Sequence, residues 1–393
     1  MPPLVLLAAF LEGTALTLIQ GFLPLYIRGS LGETRYVMVG LLIAVPSIGV
    51  VIASNFWGGL SDVTGRLKPM ILVGLLGYAA ALAGIPPLRE SMAVLAFIGV
   101  CSLGYGTLAP SLKATVTLAR PDRKEHGIAY VIMAQSIGWL AGSWSAGSVL
   151  ENGDMAAGLH HVMWSVAALF VVVFVVILFA LRDQRRPPAP ARERVGPIEG
   201  VLADLEALYE NPRLLGLCVL TFFFVAANYV VWGFFTVFLT EHIGAGMRVV
   251  RNTLAISSVA GIAFMPFVGP LVRRYGGRPL LAVGVSLYLV MYVGMGLVKD
   301  PTLLAFLFAM PLYGLVNVSA NTLATEYALT TQRGGGLGVL NGTYAIASVA
   351  GPIVGGLLAD RVGIAVIPWT GLGFMLIATP IAWIAALRGR NAD

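Results

Sequence analysis

Glu12 is a carboxylate in a place where charge is costly. It stands eight positions after Leu4 in an otherwise apolar run, which in a helix rising ~1.5 Å per residue is about 12 Å, close to the middle of a bilayer's hydrocarbon. A charged group at that depth is rare and usually functional, so Glu12 is expected to take up a proton readily or to hold a cation. The competing reading is a helix clasp, with Glu12 permanently protonated or bonded to Thr14, Thr17 or Gln20. Other apolar runs carry uncharged polar and aromatic side chains: Tyr105, Gln135 and Trp139 early in the chain, then Asn228, Tyr229, Trp232, Asn317, Asn321, Asn341 and Tyr344. Amides in hydrocarbon need partners, which another helix or a water-filled cavity supplies. Taken singly, each fits interhelical bonding as well as ligand contact. Together they suit a pocket for an amphipathic or uncharged organic molecule. None of the 25 Lys and Arg residues is expected at mid-depth, which disfavours an anionic cargo.

The elements that must position these groups are membrane helices. Of the 393 residues, 58% are hydrophobic and only 11% charged, with a mean hydropathy of +0.86; a soluble domain of this length would have too little polar surface. The apolar material falls into twelve runs of bilayer length, from Leu4–Ile27, through Met92–Leu112 as the fourth, to Val362–Leu387. Long runs without period-2 alternation argue for helices over a barrel. No small-residue cleavage site follows the first run, which reads as a retained span. If both termini are cytoplasmic, most of the 25 basic residues fall on the inner side, among them Arg66, Lys113, Arg120, Arg185 and Arg186, as the positive-inside rule requires. The net charge of +6 is then explained by inner loops meeting anionic headgroups, and no nucleic-acid partner is needed. Cys101 and Cys218 lie inside spans as packing residues. His126, His160, His161 and His242 lack a second ligand at metal spacing.

Residues 183–213 form the one long hydrophilic connection. It opens on a basic, proline-rich stretch (Arg185, Arg186, Pro187, Pro188, Pro190) and continues with Val201, Leu202, Leu205 and Leu208 at helical spacing, the pattern of an amphipathic surface helix. The expected division is a six-helix bundle over 1–182, this linker over 183–213, and a second six-helix bundle over 214–393.

Two echoes support that division. Gly58-Gly59-Leu60-Ser61-Asp62-Val63-Thr64-Gly65 returns as Gly269 to Gly276, 269 − 58 = 211 positions later, and Gly142-Ser143-Trp144-Ser145-Ala146-Gly147 returns as Gly351-Pro352-Ile353-Val354-Gly355-Gly356, 351 − 142 = 209 positions later. Paired halves in a membrane protein suggest a transporter that rocks about a site between them. In the first echo, Gly58 allows close helix approach, Gly65 a tight turn, and Asp62 can accept from backbone N–H groups or from Arg66 or Arg120, latching one face. In the second copy Arg273 replaces the acid, with Glu326 as its expected structural partner.

The loop Gly58-x-Leu60-x-Asp62-x-x-Gly65-Arg66, with twelve spans in a six-plus-six arrangement, resembles the signature loop of the major facilitator superfamily. The run Phe10-Leu11-Glu12-Gly13 followed by Phe22-Leu23-Pro24-Leu25-Tyr26 resembles the first span of that family's proton-coupled drug antiporters, which place an acid there. The resemblance implies an all-α integral membrane fold of two pseudo-symmetric six-helix bundles, with helices one, four, seven and ten lining the cavity. It further implies a monomeric carrier with no cofactor beyond the proton gradient, whose partners are a small-molecule substrate and the bilayer, in the cytoplasmic (inner) membrane. Two departures weaken the antiporter label. The glycine-proline motif expected in span five is better kept in span eleven as Gly351-Pro352, and Val100 to Gly106 in span four carries no arginine.

No HExxH or GxSxG occurs, and no Lys stands between Gly and Ser or Thr, so intramembrane enzymes and nucleotide-driven pumps lack their motifs. The reading is a secondary transporter, a proton-coupled exporter of a lipophilic or sugar-like solute. A uniporter or symporter of a metabolite is the nearest alternative, and a channel is more distant.

Overall fold

A computed structural model describes residues 3–119, 124–151, 154–181, 183, 211–329 and 336–390. Twelve helices run through the described residues. They are α1 (Pro3–Gly29), α2 (Tyr36–Thr64), α3 (Lys68–Gly84), α4 (Ser91–Ala119), α5 (Lys124–Glu151), α6 (Met155–Ala180), α7 (Pro212–His242), α8 (Met247–Tyr275), α9 (Gly277–Leu297), α10 (Pro301–Tyr327), α11 (Gly336–Val362) and α12 (Ile367–Arg390). Ten contain stretches long and apolar enough to cross a membrane. The other two are α3, apolar but only 17 residues long, and α5, whose Gln135, Ser136, Ser143, Ser145 and Ser148 make it polar for a span. The expected amphipathic helix over 198–209 falls outside the described residues.

Proline explains where helices break. Pro110 has no N–H to give to Gly106 and its ring crowds that carbonyl, and α4 is interrupted at Gly106–Thr107. Pro311 likewise interrupts α10 after Phe308. In α1 the turn ahead of Pro24 widens into a π-helix over Thr17–Phe22, the kind of irregularity often found at functional positions. Beyond its break α4 continues to Ala119, so Lys113, expected in a loop, is a half-buried helical residue.

The chain forms two compact units, one of residues 1–194 with 246–258, the other of 195–245 with 259–393. In the first, α1 packs along α5, α3 along α6, and α4 against α2 and α3. In the second, α7 packs along α11, α9 along α12, and α10 against α9. The pairings repeat with a shift of six helices, which accounts for the echoes in the sequence. Residues 246–258, the opening turns of α8, come from the later half of the chain yet belong to the first unit. Glu151 at the end of α5 holds them there. Its Oε1 lies 2.6 Å from Arg248 Nε and its Oε2 2.9 Å from Arg251 Nη1, and Arg251 also donates to Ser148 Oγ at 3.1 Å and lies over the Trp144 ring.

Candidate functional site

In the first unit the glycine-rich face of α5 lies against α1. A methyl added at Gly138 would overlap the carbonyl of Phe10, one at Gly13 the carbonyl of Gln135, and one at Gly142 would meet the Thr14 carbonyl. That proximity lets α1 hydroxyls reach α5 backbone. Thr14 Oγ1 donates to Gly138 O at 3.0 Å and Thr17 Oγ1 to Trp139 O at 3.0 Å. Thr14 and Thr17 are two of the three partners, with Gln20, that the competing clasp reading offers Glu12, and their hydroxyls are engaged with carbonyls instead. Glu12, only 3% exposed, takes its hydrogen bond from the other helix: Gln135 Nε2 donates to Glu12 Oε2 at 2.7 Å. A clasp within α1 is thereby corrected to a bond between α1 and α5.

Two further groups belong to this site and are not evident from sequence. Tyr78 of α3, 2% exposed, lies within Coulombic range of Glu12 and is stacked between Tyr105 (ring centroids 4.5 Å) and Phe170 (5.2 Å). Lys113 also lies within Coulombic range of Glu12. The signal for Tyr78 is the spacing Gly74-x-x-Gly77-Tyr78: both glycines let α3 approach α4, where their added methyls would strike Leu108 and the Tyr105 backbone. Of the candidates expected in this unit, Gln135 touches Glu12, Tyr105 reaches the site through Tyr78, and Trp139 contributes its carbonyl. A lateral groove of about 380 Å³ beside α1, lined by Phe10, Leu11, Ser145, His161 and Leu169, contains none of these candidates.

In the second unit, amides and tyrosines of α7, α9, α10 and α11 converge. Tyr288 OH donates to Asn228 Oδ1 at 3.4 Å, Asn317 Nδ2 to Tyr313 OH at 3.5 Å, and Asn321 Nδ2 to Asn317 Oδ1 at 3.1 Å. Tyr229 and Tyr344 lie near Tyr313. Phe224 backs the cluster, its ring 5.1 Å from Tyr288 and 6.3 Å from Tyr313. Asn228 Nδ2 and Tyr344 OH are buried without a hydrogen-bond partner. Trp232 is half-buried on α7, and Asn341 is exposed on α11.

The echoed loops share one terminator. α2 ends at Gly65 with φ 65° and a bond from its N–H to Ser61 O of 2.8 Å, and α8 ends before Gly276 with φ 84° and the corresponding bond to Val272 O of 2.9 Å. Both glycines occupy backbone space that L side chains avoid. The side chains at 58 and 62 lie outside the described part of the structure. Arg66, expected beside Asp62, pairs with Asp183 at 3.8 Å, and Asp183 also accepts from the Lys68 N–H at 3.3 Å. Arg273 and Glu326 are both exposed, and none of the ion pairs among the described residues joins them. An exposed pair contributes little net energy, so nothing compels those two long side chains to meet. Gly351 performs on α7 what Gly142 performs on α1: its added methyl would meet the Ala226 backbone, with Pro352 beside it inside α11.

The sequence model of the Major Facilitator Superfamily matches residues 5–331 and 217–392. Multidrug resistance protein MdtG of Salmonella paratyphi C (strain RKS4594) is 27% identical over 405 residues, covering 98% of this chain and 95% of that protein, and MdtG of Salmonella typhimurium (strain LT2) is similar to the same extent. Among solved structures, the nucleoside transporter NupG superposes with a TM-score of 0.76 at 16% identity, covering 98% of both chains. A bacterial homolog to the human lysosomal transporter Spinster, inward-facing and occupied, gives 0.75 at 14%, covering 98% of this chain and 96% of that one.

Proposed function

Because the chain belongs to the Major Facilitator Superfamily and is a multi-pass secondary transporter and not an enzyme, we propose that it exports a lipophilic, amphipathic or sugar-like solute in exchange for protons by alternating access. Glu12 is the proton carrier. The observation that carries this reading is a buried carboxylate whose bond to Gln135 crosses from α1 to α5. The hydrogen bond to this carboxylate comes from a neutral amide and no ion pair among the described residues locks it in the charged form, so it can gain and lose a proton as its surroundings change. Protonation removes the charge that makes its burial costly and alters what Gln135 can donate to. A change of one proton thus biases the packing of two helices.

The relatives' name, multidrug resistance protein, supports drug-like cargo. Cargo contacts are assigned to Tyr105, Gln135, Trp139, Asn228, Trp232, Asn317, Asn321 and Tyr344, and the loops at Gly58, Asp62, Gly65, Arg66, Arg273 and Glu326, with Gly351-Pro352, to gating and packing. The carrier works as a monomer in the inner membrane with both termini cytoplasmic, and uses no cofactor beyond the proton gradient. In proteoliposomes with an entrapped pH dye, addition of a transported solute should release protons from the lumen at a rate that follows the solute's concentration. Solute movement without proton movement would replace exchange with facilitated diffusion.

A further inference from the structure

The two units have the same internal pairing, so each side chain around Glu12 has a counterpart. Gly142 meets the Thr14 backbone and Gly351 meets the Ala226 backbone, which sets the shift at 226 − 14 = 212 for the first helix of each half and 351 − 142 = 209 for the fifth. The same shifts carry Glu12 to Phe224 and Gln135 to Tyr344. Tyr78 of α3 has Tyr288 of α9 in the corresponding place, 288 − 78 = 210 positions on. The place that holds Glu12, Gln135 and Tyr78 in the first unit therefore holds Phe224, Tyr344 and Tyr288 in the second.

We propose that this place in the second unit is the cargo-recognition site and that it selects flat, uncharged solutes bearing hydrogen-bonding groups, with Tyr313 stacking on the solute and Asn228 and Tyr344 bonding to it. This rests on the transporter reading above and narrows its cargo.

Three observations lead there. First, among the described residues the site has neither cation nor anion: its polar groups are amides and phenols. A charged solute would be desolvated against it without compensation. Second, the hydrogen bonds are incomplete. Gln135 has Glu12 to donate to, whereas the position matching Glu12 in the second unit is Phe224, which has no acceptor, and the hydroxyl of Tyr344 is left without a partner, as is Asn228 Nδ2. Buried polar groups without partners are destabilising, and such groups in a native structure call for an explanation. A solute carbonyl or hydroxyl that reaches them supplies what Phe224 does not. Third, the aromatic surface is available. Tyr313 is 46% exposed, while Phe224, whose ring stacks beside it, and Tyr288, packed on Phe224, are buried and fix its backing. Base-like or drug-like ring systems stack on such a platform. The first unit would then carry the proton and add cargo contacts of its own, while the second selects the solute.

The test is equilibrium binding to the purified full chain in nanodiscs, without any pH gradient, of two probes of matched shape: acridone, flat and neutral with one carbonyl, and 10-methylacridinium, flat and permanently cationic. Acridone should bind at least tenfold tighter than the cation. Tyr344→Phe, which removes one hydroxyl, and Asn228→Ala should each weaken acridone about tenfold at an unchanged melting temperature. Cation binding equal to or tighter than acridone's, no acridone binding at all, or acridone affinity unmoved in a folded Tyr344→Phe protein would overturn the assignment. Loss of proton-coupled transport with these affinities intact would instead refute only the exchange mechanism.

Discussion

The bond from Gln135 to Glu12 joins the one membrane-depth acid legible in the sequence to a residue that reads there only as a polar pocket candidate. Spacing shows depth but not direction: nothing in Phe10-Leu11-Glu12-Gly13 says which neighbouring helix Glu12 faces, and Thr14 and Thr17, which look like its partners, are consumed by the α5 backbone. Tyr78 was illegible for the same reason, being one tyrosine in an apolar run whose importance depends on α3 approaching α4. Gln135→Leu, which deletes the donor while keeping comparable volume, should lower gradient-driven transport about tenfold or more. Hydrogen bonds to ionisable groups are worth roughly 1.5–3 kcal/mol. Initial rates in proteoliposomes check this, and an unchanged rate would mean that the bond is incidental. By contrast, Thr17→Val removes an interhelical bond of a kind that averages about 0.6 kcal/mol in membranes, so it should leave transport near wild type.

Elements were more legible than their contacts. Twelve apolar runs and the two glycine echoes are visible in the sequence because each follows from local chemistry: hydrophobic length and an absent Cβ. Partner choice is not local, and the meaning of the second echo, that α5 lies on α1 and α11 on α7, appears only with the fold. Gly138→Ala and Gly351→Ala should each lower the melting temperature by several degrees, since a methyl there meets backbone and overpacking typically costs about 1–3 kcal/mol. Gly373→Ala on α12, where an added methyl meets nothing within 4 Å, should hold or raise it, because Ala is favoured over Gly in helices by up to about 1 kcal/mol. Equal losses at all three would remove the close-packing explanation. For the loop between α2 and α3, Asp62→Asn should leave a cooperative melt within a few degrees of wild type while transport falls, as expected of a latch between two states. A collapse of expression would make Asp62 structural.

At the scale of the molecule, the repeat was legible and the boundary of its units was not. The opening turns of α8 join the first unit through Glu151, Arg248 and Arg251, and the sequence around Arg251 has no feature that announces this. The proposed orientation rests on charge: the positive-inside rule assigns the basic run at 183–213 to the cytoplasmic side. Single cysteines at positions 189 and 153 should therefore label from opposite sides of the membrane, and labelling of both from outside would invert the assignment.

Whether Glu12 couples solute movement to protons is decided by Glu12→Gln. The substitution keeps the size and hydrogen-bonding capacity of the protonated acid but fixes the group as neutral. Solute accumulation in proteoliposomes is measured with and without an imposed pH gradient. The variant should no longer concentrate solute in response to the gradient, while downhill exchange persists. A Glu12→Gln protein that still concentrates solute when the gradient is applied would contradict it and leave Glu12 and Gln135 as a structural tie between α1 and α5.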